Sequence, residues 1–514
     1  MTAPLISLAV SSPGFFGLNK QDSSGSLPMG WATTLDNVVF DENGRPAARK
    51  GKANFTSDVA AGTVKQIHEY VQDDGTRFLL DAGGNKIYNI TSATHTDITG
   101  AFVAADDNWQ FQNFNNNLYA TQSGEPIISW AGTGNITDES TTYSGDDTAP
   151  SDNADTLLGA FGRLWTLDND NQLVYSELLA PRFRSASGAG AFDLSTVWDD
   201  TGVALAEFNG FLVIFGRETI IIYQNAWLPD ATAGDVDAMT LVETIKGVGC
   251  NARDSVQNVG NDVLFLSQFG VISLGRTIQE KSGPINDISK NNRDYLLAQV
   301  AKETDLSDIR SVYSPVDGFY LLSCPTAGVS FYFDLRARLE DGSFRMAEWS
   351  LAPKALAWAY GGTHAQGVYL ENSTKTAKYN TYLDIAATYE VHYHGPWLDG
   401  GQEMANRIKI PKKLRFLATG GDGQTVEVRL FSDYNDVVPV FIRTDLVLGT
   451  ANSTAWGVFT WGNSEWGFSL DLQDESVPTS GSGTVVMFGI KVPINGQSFG
   501  LDRIVFNSKI GREF

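Results

Sequence analysis

The chain has 514 residues, more than one hydrophobic core usually serves, so it should hold two or three domains unless its core is a repeat array or a barrel. The formal charge of −23, from 60 acidic against 37 basic residues, argues against a protein that wraps nucleic acid by neutralising phosphates. Two cysteines, Cys250 and Cys324, are too few for a disulfide scaffold or a thiolate zinc site and are expected as free core thiols.

With 51 Gly, 29 Phe, 17 Tyr and 12 Trp, the composition suits many turns between short strands with aromatic packing faces. The apolar residues 4–10 are short and lack the basic flank of a secretory signal. No run approaches the ~18 apolar residues of a membrane-spanning helix, so the chain is expected to be made and folded in a cytoplasm.

The first fifty residues contain Ser11-Ser-Pro-Gly-Phe-Phe-Gly17, a strand-like Asp36-Asn-Val-Val-Phe40 and Gly44-Arg-Pro-Ala-Ala-Arg-Lys-Gly51. They are expected to form an extended arm with docking strands over 1–58. A strand–turn–strand unit then recurs. It is clearest at Asn209-Gly-Phe-Leu-Val-Ile-Phe-Gly-Arg-Glu-Thr-Ile-Ile-Ile-Tyr223, where two buried-type strands flank a polar turn. Equivalent anchors fall at Phe78, Leu118, Leu164, Leu212, Leu264, Tyr320 and Tyr369, at steps of 40, 46, 48, 52, 56 and 49 residues.

That spacing suits four-stranded blades with variable loops, and predicts a degenerate β-propeller of about seven blades over 59–388. Hairpins in two ordinary sandwiches are the alternative. Residues Tyr143 to Asp155 read as a solvated acidic loop, and Lys290 to Glu303 as a helix decorating a blade connection. From about Tyr389 the repeat stops and alternation sharpens, for example in Gln424-Thr-Val-Glu-Val-Arg-Leu-Phe431 and Val485-Val-Met-Phe-Gly-Ile-Lys-Val492. An antiparallel β-sandwich-like domain is expected over 389–514. The fold class is therefore all-β.

The sequence offers little chemistry. His392 and His394 share one strand face but have no third ligand in view, and read as surface histidines. Asp168-Asn-Asp-Asn171 lacks the glycine and distal glutamate of a calcium loop. Neither a nucleophile elbow nor a phosphate-binding glycine loop is present. No catalytic, cofactor-binding or metal residue is assigned, and the protein is expected not to be an enzyme.

Two C-terminal features stand out as interface candidates. In Arg407-Ile-Lys-Ile-Pro-Lys-Lys-Leu-Arg-Phe416, alternation puts Arg407, Lys409, Lys413 and Arg415 on one strand face. This is either a basic interface or an edge strand kept soluble by charge. Downstream, Trp456, Trp461 and Trp466 each precede a glycine at a period of five; dense indoles anchor interfaces, stack on sugars or fill a local core.

Ser12-Pro-Gly-Phe-Phe-Gly-Leu-Asn-Lys-Gln-Asp22, Asn37-Val-Val-Phe-Asp-Glu-Asn-Gly-Arg-Pro-Ala-Ala-Arg-Lys-Gly51, the degenerate blades and the Trp-Gly series together resemble the tail nozzle (tail tubular or stabilisation) proteins of short-tailed bacteriophages. The resemblance is strongest over the first fifty residues and around Trp456 to Trp466. It implies a structural virion protein, a homohexameric ring below the portal and adaptor (head–tail connector) rings, assembled in the host bacterial cytoplasm. A tail needle or knob and tail fibres would be its partners. Genomic DNA would pass through the lumen during ejection without sequence-specific binding. A host-receptor or glycan-binding propeller, with or without polysaccharide-degrading activity, is the alternative.

Overall fold

The structure is a computed structural model and describes residues 5–11, 13–104, 106–141, 154, 156–168, 171–181, 188–230, 237–284, 287–400, 406–421, 423–449 and 472–513. The chain forms two compact units, neither continuous in sequence. One comprises Met1–Ala53, Phe331–Ser350 and Asn380–Phe514; the other comprises Asn54–Ser330 and Leu351–Tyr379.

The second unit is a seven-bladed β-propeller. Its innermost strands are Val64–Val71, Gln110–Phe114, Thr156–Ala160, Gly202–Phe208, Gln257–Val259, Arg310–Ser314 and Leu356–Ala359. Each pairs antiparallel with the next strand in sequence. The first four blades are four-stranded sheets in strict sequence order. The fifth has three strands and is followed by the helix Leu274–Glu280.

Successive inner strands lie side by side, and the seventh returns to the first. Between the fourth and sixth, the turn Arg253–Ser255 touches both. All seven anchors, from Phe78 to Tyr369, fall on second strands.

Those second strands are apolar without alternation because both their faces are buried. In Phe211–Gly216, Val213 and Phe215 pack with Val263 and Phe265 of the fifth blade. Leu212 and Ile214 pack the other way, with Trp165 and Leu173 of the third.

The ring is closed by the chain that precedes it. Backbone N–H groups of Phe55 and Thr56 donate to Thr376 O of the seventh blade at 2.9 and 3.1 Å, and Ala60 and Val64 donate to Thr374 O and Ser373 O. The Asn372 side-chain amide donates to Asn54 Oδ1 at 2.8 Å. His95 fastens this strap: Nδ1 lies 2.9 Å from Asp58 Oδ1 and Nε2 3.1 Å from Asp81 Oδ2. Asp81 Oδ2 also accepts from Thr376 Oγ1 at 2.6 Å. Burial alone would lower the His95 pKa, but the two carboxylates outweigh it and raise it above the ordinary value.

The first unit is built on two largely antiparallel sheets. One runs Leu472–Pro478, Arg407–Gly420, Phe499–Glu513, Pro46–Ala48, Val38–Phe40, with Leu5–Ser11 also on Phe499–Glu513. Within this unit the other runs Val329–Arg338, Phe344–Trp349, Thr34–Asp36, Tyr389–His394, Val486–Ile494, Thr425–Ser432, Phe441–Val447. The N-terminal residues expected as a docking arm thus dock on the C-terminal part of their own chain. Residues 331–350, expected inside the propeller span, group with this unit as well.

Arg49 joins its three segments. The fully buried guanidinium forms a two-point contact with Asp384, at 3.1 and 2.7 Å, and donates from Nε to Asn37 Oδ1 at 2.8 Å. It lies 4.1 Å from the Tyr389 ring centroid and 5.9 Å from that of Trp349. Asn37, in the left-handed region at φ 58°, which asparagine tolerates, accepts from Ser350 N at 3.0 Å and donates to Glu390 O at 2.7 Å.

Two outcomes follow from these nodes. Arg49→Ala leaves the Asp384 carboxylate without its guanidinium and removes a donor from Asn37, and should destabilise the first unit by about 3 kcal/mol in urea unfolding; Arg49→Lys, without a planar fork, should recover little of it. Because the His95 pKa is raised on folding, its contribution is complete below the unfolded value of about 6.5 and is lost as pH rises through the folded value. Propeller melting temperature should therefore fall between about pH 6 and 8, and His95→Gln should flatten that slope.

Candidate functional site

Polar residues recur on the inner strands, whose inward sides face open space. They enclose an axial cavity of about 460 Å³, to which six of the seven blades contribute. One wall is charged. Arg310, 2% exposed, pairs through Nη1 with Asp254 Oδ2 at 2.9 Å, and Arg253 Nη2 reaches the same oxygen at 2.9 Å. Both arginines donate to Asn108 Oδ1, at 2.8 and 3.0 Å. Burial pushes the Asp254 carboxyl up, but the two guanidiniums outweigh it and hold it below the usual carboxylate range.

On the first blade Glu69 is equally committed. It accepts from Arg77 Nη1 at 2.9 Å and from the backbone N–H of Tyr360 and Gly361 at 2.9 and 3.0 Å. His364 Nε2 lies 2.8 Å from its other side. Burial raises the Glu69 pKa, but these four partners together lower it below its ordinary value. The neighbouring His68 is lowered by burial, against a 3.0 Å hydrogen bond to Asn113 Oδ1.

The ionised groups of the cavity are thus engaged with partners, and neither carboxylate is free to act as a general base. The thiols of Cys250 and Cys324 are buried and pushed up by burial to about 11 and about 12, which keeps them protonated and unreactive. Among the described residues no cluster of three or more His, Cys, Asp or Glu could hold a metal ion. His392 contacts Glu390 at 3.2 Å and Asp36 at 3.5 Å, while burial pulls His394 down to about 4. No helix among the described residues is long and apolar enough to cross a membrane.

The sequence-predicted basic face does not form. Register shifts at Arg407/Lys409 and Pro411/Lys413 break the alternation of Arg407–Gly420. Lys409 consequently points inward, 2% exposed, with Nζ donating to Thr484 O at 2.5 Å and Arg407 O at 3.2 Å; burial lowers its pKa. Arg407, Lys413 and Arg415 are exposed, and Arg415 is engaged by Asp474 of the adjacent edge strand, Nε–Oδ1 2.6 Å. Trp456, Trp461 and Trp466 lie outside the described residues.

The cavity residues escaped the sequence reading, which anchored on second strands. Their signal was a short strand one hairpin upstream of each anchor, such as Val64-Lys-Gln-Ile-His-Glu-Tyr-Val71, in which polar residues interrupt the apolar pattern.

No family model and no curated protein matches the chain. Among solved structures, a computationally designed protein named Ika8 aligns over 71% of this chain and 99% of its own, at 12% identity and a TM-score of 0.36. The β-propeller domain of Myceliophteria thermophila Cps50 (Swd1) aligns over 65% of this chain and 100% of its own, at 9% identity and a TM-score of 0.38. Both scores are too low for either structure to bear on the function of this chain.

Removing the charge of Asp254 by Asp254→Asn takes away the carboxylate that two guanidiniums share and should cost about 3–5 kcal/mol in chemical denaturation. Adding Arg310→Met should recover at least half of that loss, since an apolar side chain of similar length needs no ion partner.

Proposed function

We propose that this protein is a structural subunit of a short-tailed phage tail, a nozzle protein that assembles with copies of itself into a ring through which genome DNA passes. One observation carries the reading: an exposed apolar sheet edge. Strand Phe441–Val447 ends its sheet, paired on one side with Thr425–Ser432 and, among the described residues, with nothing on the other. Along it and the preceding loop, Val437 is 82% exposed, and Val438, Val440, Ile442 and Val447 between 43% and 61%.

Proteins that remain monomeric blunt such edges with charge, proline or a covering element. Here Pro439 stands in the loop before the strand, and Arg443 and Asp445 form a local ion pair at 2.9 Å, yet Val438, Val440 and Ile442 remain exposed. The second unit supports the same reading as a scaffold: a ring locked by its own strap, whose ionised cavity groups are committed to one another. The charge of −23 suits a lumen that repels DNA and lets it slide. Adaptor ring, needle or knob, fibres and the hexameric number are what the resemblance contributes, as is a virion location without enzymatic activity.

Mass photometry and negative-stain microscopy of the purified chain test this reading. The expected result is closed rings, with six copies as the main species. Burying a Val or Ile side chain contributes about 1.5–3 kcal/mol. Val438→Lys with Ile442→Lys should therefore weaken association by roughly 100-fold or more and yield monomers of unchanged melting temperature. A wild-type chain that stays monomeric at tens of micromolar would overturn it.

A further inference from the structure

The axial cavity contains a second set of groups that its ion pairs do not use. The side-chain amides of Gln66 and Asn258 and the hydroxyls of Tyr313 and Tyr360 line it, and no hydrogen-bond partner for these groups exists among the described residues. Tyr360 is 61% exposed, and Asn258 is exposed as well, so these two stand at the rim. Trp358, edge-on to Tyr360 with ring centroids 6.1 Å apart, adds a second aromatic surface. The volume of about 460 Å³ falls within the range of about 300–1,000 Å³ of small-molecule sites.

We propose that this cavity binds a neutral saccharide of one or two sugar units. The ligand class follows from what the wall still has to offer. Arg310 donates to Lys65 O, Ile309 O and Asn108 Oδ1, and Arg253 to Asp254 and Asn108, so an anionic ligand would have to take donors already in use. Glu69 is enclosed by Arg77, His364 and two backbone N–H groups, which leaves no anionic seat for a cation. An apolar ligand would strip water from the free amides and hydroxyls without replacing those hydrogen bonds. A sugar satisfies both requirements: its hydroxyls pair with amide and phenol groups that both donate and accept, and its C–H faces lie on Tyr360 and Trp358.

Saturation-transfer NMR and calorimetric titration of the full chain with glucose, galactose, N-acetylglucosamine, maltose and cellobiose test the assignment, with N-acetylneuraminic acid and inorganic phosphate as anionic comparisons. At least one neutral sugar should bind with a Kd of about 5 mM or tighter. Gln66→Ala with Asn258→Ala should raise that Kd about tenfold or more. Tyr360→Ala should do the same while keeping the backbone N–H that holds Glu69. The amides of Gln66 and Asn258 have no partners, so the double variant should melt as wild type does, whereas Tyr360→Ala also removes the ring contacts to Trp358 and Arg77 and should melt slightly lower. The assignment is overturned if no neutral sugar binds by 10-mM ligand (about 2.7 kcal/mol of binding free energy at 25 °C), if only the anions bind, or if binding is unchanged in both variants. None of these outcomes bears on ring assembly, which rests on a strand of the other unit.

Discussion

One guanidinium decides whether the first unit can exist. Arg49 comes from the N-terminal segment and Asp384 lies 335 residues later, while Trp349 and Ser350 of the middle segment are held through the ring face and through Asn37. A buried arginine is tolerated only where its donors are satisfied and its charge is matched. Here the charge is matched by Asp384 and the remaining donors by Asn37 and Lys50 O of the N-terminal segment. The burial cost therefore enforces pairing of the N-terminal with the C-terminal segment, and the middle segment is added through the Trp349 ring and the Ser350 N–H on Asn37.

The propeller solves a related problem by other means. A linear array of small sheets leaves an open apolar face at each end, and hydrogen bonds from Phe55, Thr56, Ala60 and Val64 to the seventh blade remove both ends at once. His95, placed between carboxylates of the strap and of the first blade, adds an ionic fastening at the seam. With the ring closed and Glu69 and Asp254 engaged by their partners, the polar capacity that the cavity still offers lies in its uncharged side chains.

Different parts of this architecture were legible in the sequence to different degrees, for physical reasons. Second strands announced themselves because packing on two faces demands an unbroken apolar run, as in Phe211–Gly216. Strands such as Thr425–Ser432 and Val486–Ile494 were legible through alternation. The helix read at Lys290 to Glu303 is present as Arg293–Val300 after a short 3-10 turn. Inner strands were not legible, because one side faces an open cavity and their polar residues mask the period. The role of residues 1–53 was hidden because their partners lie hundreds of positions away, for example Leu5 opposite Lys509. A two-residue irregularity at Pro411/Lys413 was enough to turn Lys409 inward, and nothing in a regular alternation announces a bulge.

The pairing of Leu5–Ser11 with Phe499–Glu513 also sets a timetable. On a ribosome adding roughly 5–20 residues per second, the first strand waits roughly 25–100 s for the last one to be made. The strap and seven blades, complete by Tyr379, can close during that interval. An N-terminal segment that has emerged but cannot yet pair is the stretch most in need of protection from neighbouring nascent chains, so the speed of translation becomes a determinant of yield for a protein whose two ends share one sheet.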